Sequence, residues 1–188
     1  MRAPIGHFDN AQTAAEAQEF TGPAAEAVRR GTGGTAPEDV LYVDTDPERA
    51  DTAVFVEHYG ADLLETSANC VVVAAKRAGE RTLAACVVPS GAKVDVNGAV
   101  RRQLGARKAS FAPTDTAVEE SGMEYGGITP VGLPEGWPVL VDAAVAGMPW
   151  VLLGSGRRRG KLIVPGKYVA QLPGAQVVED LGVRPHPA

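Results

Sequence analysis

The chain reads as an α+β domain built on a mixed β-sheet, and three observations carry that reading. Apolar, β-branched runs come in hairpins with helical stretches between them, not in the regular strand–helix alternation of a doubly wound fold. With 188 residues, 45% of them apolar and 22% charged, the chain can fill one sizeable core and keep an ordinary soluble surface. Between the apolar segments lies a loop dense in glycine and proline, Gly122 to Pro134 (GMEYGGITPVGLP). These features place one domain over residues 40–188, preceded by a flexible or weakly helical extension over residues 1–39.

The extension is alanine-rich (Ala14, Ala15, Ala17, Ala24, Ala25, Ala27), is broken at Gly22-Pro23, and ends in the GTGG run from Gly31, which reads as a joint. Val40 to Val43 is a short strand. Asp46-Pro47 starts a helix to about Tyr59, the carboxylate capping and proline occupying the first turn, with Ala50, Ala53, Val54 and Val56 at roughly helical spacing. Cys70 to Ala75 and Thr82 to Val88 pair as a hairpin through the turn containing Gly79. Asp95 caps a helix reaching Leu104. Arg107 to Ala112 is a strand, and Pro113 opens a short helix ending near Gly122. Strands follow at Val139–Val141, Trp150–Leu153 and Lys161–Val164, then a helix over Lys167–Leu172 and a strand over Gln176–Val178.

Several function classes drop out. No apolar run is long enough for a membrane helix, and Met1 to Asp9 lacks the apolar stretch of a signal peptide. Cys70 and Cys86 make no disulfide framework, so a cytoplasmic protein with reduced thiols is the simplest account. His7, His58 and His186 show neither zinc spacing nor a pairing that would activate Cys70. Five residues separate Gly154 from Gly160-Lys161, and Leu162 follows where a phosphate loop needs Ser or Thr. At net charge −5, any nucleic-acid contact must come from local basic patches. Two exist: Arg157, Arg158, Arg159 and Lys161, and Arg101, Arg102, Arg107 and Lys108. The Gly126 to Gly132 loop has few side chains to pack. It is either a tight structural connection or a cradle whose backbone N–H groups and Thr129 hydroxyl hold a carbonyl or anion.

From about Asp46 to Gly182, the succession ETSANCVVVAA, ARKASFA, GGITPVG, WVLLGSGRRRGKL and LPGAQVVEDLG resembles the YbaK/ProX/EbsC family of aminoacyl-tRNA deacylases, relatives of the editing domain of bacterial prolyl-tRNA synthetase. The most specific piece, Gly126 to Gly132, is similar to the family's Gly-x-(Ser/Thr)-Pro-x-Gly signature. The second, Gly154-Ser155-Gly156-Arg157-Arg158, is similar to its glycine-rich strand end. The resemblance implies a partly barrel-like sheet surrounded by helices, with no metal or organic cofactor. It implies hydrolysis of the ester between a wrong amino acid and the 3′-terminal ribose of tRNA. Partners would be the aminoacylated acceptor end and an aminoacyl-tRNA synthetase. By the same resemblance, Gly126, Gly127, Ile128, Thr129, Pro130 and Gly132 would form the catalytic loop. Its N–H groups would hold the acyl carbonyl, and Thr129 would orient a water, the ribose hydroxyl or the amine. Gly154, Ser155 and Gly156 would line the same pocket, and Arg157 and Arg158 would hold acceptor-end phosphates.

The chain departs from the family at one place. Asn69 stands where active members carry a lysine, and asparagine brings no positive charge. Lys76 is too far along the strand to replace it. Lys108 either returns an amine to the pocket or lies on a solvated edge. Two function classes stay open: a free-standing deacylase, and a non-catalytic relative that binds acceptor ends or a protein partner.

Overall fold

A computed structural model describes residues 1–32, 37–49 and 52–184. Two sheets and a small ribbon carry the fold. The first sheet is antiparallel in the order β1-β2-β9-β8, from Gln12–Thr13, Leu41–Val43, Lys161–Val164 and Val151–Gly154. The second is mixed in the order β10-β7-β4-β3-β6, from Ala175–Val178, Val139–Asp142, Glu80–Pro89, Ala68–Arg77 and Lys108–Phe111. In it β10, β7 and β4 run parallel, while β3 is antiparallel to both neighbours. Lys93–Val94 (β5) and Gly182–Val183 (β11) form the ribbon. A parallel bridge between Ser67 and Leu152 brings the two sheets together beside β3 and β8, but they do not close into a barrel.

The expected hairpin is present and longer than read, ten residues on each side. Its two turn residues, Ala78 and Gly79, both have positive φ (51° and 89°), the backbone that fits a two-residue turn to the twist of the strands. Asp95 caps as expected, accepting from the N–H groups of Gly98 (3.0 Å) and Ala99 (2.8 Å). The turn it caps, Val96–Val100, is wound as a π-helix before α4, Arg101–Gln103. Thr114–Ser121 (α5) follows Pro113 and stops at Gly122 in the left-handed conformation. The helix expected from Pro47 is instead a 3-10 turn over Pro47–Arg49, capped by Asp46 (Glu48 N–H to Oδ1, 2.9 Å), and a helix α2 over Thr52–Tyr59. Its inward residue is Phe55, and Val54 is exposed; Ala50 lies outside the described residues.

The loose N-terminal extension is the largest correction. Ala14, Ala17, Phe20, Ala24, Ala25, Ala27 and Val28 are buried in the principal core with Ala85, Val87, Val139, Val141, Leu153 and Leu162 of both sheets. Pro23–Arg29 forms the helix α1, and Arg29 reaches back to the carbonyls of Ala17 (2.9 Å) and Phe20 (3.0 Å). Small side chains that suggest weak structure let α1 approach the sheets closely, and their value is in packing rather than propensity. Of the GTGG joint, Gly33 and Gly34 lie outside the described residues.

Candidate active site

The two glycine-rich segments come together at the seam between the sheets. Gly154 ends β8, and a Cβ there would stand 2.5 Å from the Gly127 carbonyl oxygen and 2.9 Å from that of Ile128. A Cβ on Gly127 would stand 2.2 Å from the Arg157 carbonyl oxygen. Backbone cannot yield at such distances, so glycine is required at both positions for the segments to touch. Their contact is fastened by Gly156 N–H to Gly127 O (2.8 Å) and Glu124 N–H to Gly156 O (2.9 Å). The Glu124 carboxylate adds Arg157 Nη1 (3.0 Å) and the Arg158 N–H (2.8 Å). Beneath lies α1: a Cβ on Gly132 would strike the Pro23 carbonyl, and one on Gly156 would touch Ala24.

This clasp forms one wall of a cleft of about 430 Å³. Val71, Val72, Leu152 and Leu153 give it an apolar lining, Gly126, Ile128 and Gly154 contribute backbone, and Phe111 and Tyr125 stand exposed at its edge. Asn69 and Cys70 line it from the start of β3. No carboxylate or imidazole is among the described residues that line it. Its one lining charge among the described residues is Lys161, which enters from β9, where it pairs in register with Gly154. Lys161 Nζ sits 5.7 Å from the centroid of the Phe55 ring. Burial, and secondarily the nearby Arg158 charge, holds this ammonium below the usual lysine value of 10.5.

The residues expected at the site divide. Gly126, Ile128, Gly154 and Asn69 line the cleft, and Gly127 builds its wall. Thr129 does not reach it: the residue is fully buried, its N–H lies 3.5 Å from Met123 Sδ, and its hydroxyl has no partner among the described residues. Pro130 and Gly132 line a different cavity, beside Trp137 and Pro138. The Gly127 N–H is occupied by Glu124 O (3.0 Å), while those of Gly126 and Ile128 bond to no described residue. Ser155 is buried, its hydroxyl 2.9 Å from the Arg159 carbonyl and 3.1 Å from that of Arg157, so it shapes the arginine turn. Gly156 packs behind that turn on Met123 and Ala24.

Of the arginines, Arg157 pairs with Glu124 and Arg159 with Asp44 in a bidentate contact (2.6 and 2.5 Å). Arg158 pairs with no carboxylate among the described residues. Its Nε donates to Pro47 O (3.2 Å), and its Nη1 is 3.5 Å from where a Cβ on Gly126 would be. Lys108 is not in the cleft; it lies on the edge strand β6, in register with Lys76. Cys70 is half-buried with its thiol pushed up by burial, and Cys86 is pushed up to about 12, so neither is a ready thiolate. Sequence reasoning missed Glu124 as the clasp and Lys161 as the cleft's cation. Lys161 had one available signal, its position opposite Gly154 across the hairpin of β8 and β9.

Comparison with known proteins places the chain in a family and a fold. A family described as the aminoacyl-tRNA editing domain matches residues 46–172. A crystal structure of a candidate trans-editing enzyme for prolyl tRNA synthetase aligns with a TM-score of 0.65 at 22% identity, covering 85% of this chain and 97% of that one. A hypothetical protein, APE2540, aligns with a TM-score of 0.68 at 19% identity, covering 86% and 100%. At such identities these structures show the fold alone. No curated protein sequence matches the chain. With the match spanning most of its length, the chain belongs to the aminoacyl-tRNA editing domain family.

Proposed function

We propose that this protein is a trans-editing hydrolase that cleaves the ester joining a mischarged amino acid to the 3′-terminal ribose of tRNA, with Lys161 supplying the positive charge that Asn69 does not. The observation that carries the reading is the cleft itself, which among the described residues holds one cation and two backbone donors, those of Gly126 and Ile128, with no bonded partner. The N–H groups of Gly126 and Ile128 are the donors available to the acyl carbonyl. Such donors are worth about 3 kcal/mol each when they meet a developing oxyanion. Low polarity around Lys161 strengthens its attraction for an anionic oxygen or terminal phosphate. With no carboxylate or imidazole lining the cleft among the described residues and Lys161 kept as the cation, the attacking water passes its proton to the substrate, to the free amine directly or by way of a ribose hydroxyl. Gly127, Gly154 and Glu124 hold the wall in place.

The test is deacylation of alanyl-, cysteinyl- and seryl-tRNA on proline and other acceptors by wild type, Lys161→Met, and Lys161→Met combined with Asn69→Lys. Expected are turnover by wild type, a loss of about 10²-fold in kcat with Lys161→Met, and partial recovery in the double variant. Wild-type turnover unchanged by Lys161→Met would remove the lysine from the reaction. No wild-type turnover on any ester would overturn the hydrolase reading. Because Lys161 titrates below 10.5, kcat should fall with rising pH before that value is reached.

A further inference from the structure

The far end of the hairpin carries a second concentration of charge, separate from the cleft. Arg81 on β4, Lys76 on β3 and Lys108 on β6 are register partners, forming an unbroken row of three cations across adjacent strands. All three are exposed. With Arg101 and Arg107 they line one cleft of about 440 Å³. Among the described residues, none of the five lies within ion-pairing distance of a carboxylate, whereas Arg30, Arg49, Arg157, Arg159 and Arg184 do. The nearest acidic position in register is Glu80, which stands opposite Arg77.

Like charges directly opposite each other on neighbouring strands destabilise a sheet. On a chain of net charge −5, carboxylates to neutralise them are plentiful. A row left unpaired is therefore an arrangement that the fold alone does not favour. The row also has a fixed relation to the cleft. Phe111, at the cleft's edge, is three residues from Lys108 along β6, about 10 Å, and Cys70 is six residues from Lys76 along β3, about 20 Å.

We infer that this row is a docking surface for the phosphate backbone of a nucleic acid whose 3′ end enters the cleft, namely the acceptor stem of tRNA. The inference rests on the proposed substrate class but assigns phosphate contact to a surface apart from Arg157 and Arg159, which are held by carboxylates. Spaced cations on a rigid sheet suit a backbone held by charge without base reading.

The experiment measures binding of uncharged acceptor-stem minihelix RNA against KCl concentration for wild type and the triple variant Lys76→Gln, Arg81→Gln, Lys108→Gln. A second triple variant, Arg30→Gln, Arg49→Gln, Arg184→Gln, carries the same change in net charge. Removal of the row should weaken binding about tenfold or more and make the log–log salt slope shallower by about 2. The matched variant should keep the wild-type slope. Lys76→Arg with Lys108→Arg should keep affinity, which separates lost charge from a damaged sheet. Equal slopes for wild type and the row variant would overturn the inference. So would wild-type protein that binds anionic vesicles or an acidic peptide through the row but not RNA. Loss of RNA binding in the row variant, with no ester hydrolysed by wild type, would keep this surface and discard the hydrolase.

Discussion

The molecule's two basic regions make opposite use of charge. In the segment from Arg157 to Arg159 the outer two arginines are each met by a carboxylate, Glu124 and Asp44, and the turn closes at Gly160. A Cβ on Gly160 would fall 2.3 Å from the Tyr42 hydroxyl, and its N–H is held by Thr45 Oγ1 at 3.1 Å. In the row of Arg81, Lys76 and Lys108 the cations face one another without acidic partners among the described residues. Similar composition thus builds a cleft wall in one place and leaves an open electrostatic face in the other. A run of arginines says little about its role until the carboxylates around it are known.

The largest effect that would break this contrast comes from Gly127→Val. The added carbons meet the Arg157 backbone, which cannot move without undoing the clasp. We expect destabilisation of about 3 kcal/mol or more by denaturant unfolding, together with loss of deacylation. Gly79→Ala, at the tip of the other region, meets nothing within 4 Å and strains only a positive φ of 89°. It should cost about 1–2 kcal/mol and leave the cleft intact. A Gly127→Val variant as stable as Gly79→Ala would refute the structural role of the clasp.

Intermediate in size is Glu124→Gln, which keeps the shape but removes the charge. Its ion pair with Arg157 is about half exposed, so stability should fall by no more than about 1 kcal/mol. The wall should loosen more than the fold, visible as a several-fold drop in kcat with little change in melting temperature.

A pH effect distinguishes the paired region further. The Arg159 guanidinium holds the Asp44 carboxyl below its usual value of 3.8. A depressed carboxyl stabilises the folded state above the unfolded value, and that contribution is lost as pH falls from about 4 through the folded value. Stability measured between pH 3 and 6 should therefore depend on pH less steeply in Asp44→Asn than in wild type. For a pair this exposed, solvent screening keeps the difference small.

The smallest expected effect is Thr129→Val. The hydroxyl is buried with no partner among the described residues, so an isosteric apolar group should leave stability equal or slightly higher. Deacylation should change by less than about threefold; a loss of 10²-fold would return Thr129 to the reaction.

Much of the fold was legible because it follows short-range rules. The β3–β4 hairpin, the Asp95 cap and the stop at Gly122 each depend on a few neighbouring residues. The two glycine-rich motifs also meet at one cleft, which Gly126, Ile128 and Gly154 line. What sequence could not supply is sidedness over distance. Thr129 and Pro130 turn away from the cleft because the loop is pinned on α1 and Arg157, contacts more than a hundred and about thirty residues distant along the chain. Lys161 reads as one more surface charge until it is seen to line the same cleft as Asn69. The alanines of the first 28 residues look weakly structured because small side chains announce neither periodicity nor bulk, though they fill the core.

The burial of those early residues has a consequence for how the protein is made. β2 pairs with β9, about 120 residues further on, and α1 rests against the loop and turn formed by Gly132 and Gly156. These early residues therefore complete their contacts only when segments far along the chain are present. Until synthesis reaches β9, β2 lacks the strand it pairs with on that side and the core around α1 lacks Leu162, and non-local pairings of this kind form slowly. A stall before Lys161 would thus leave the first sheet without β9 and the cleft without its lysine.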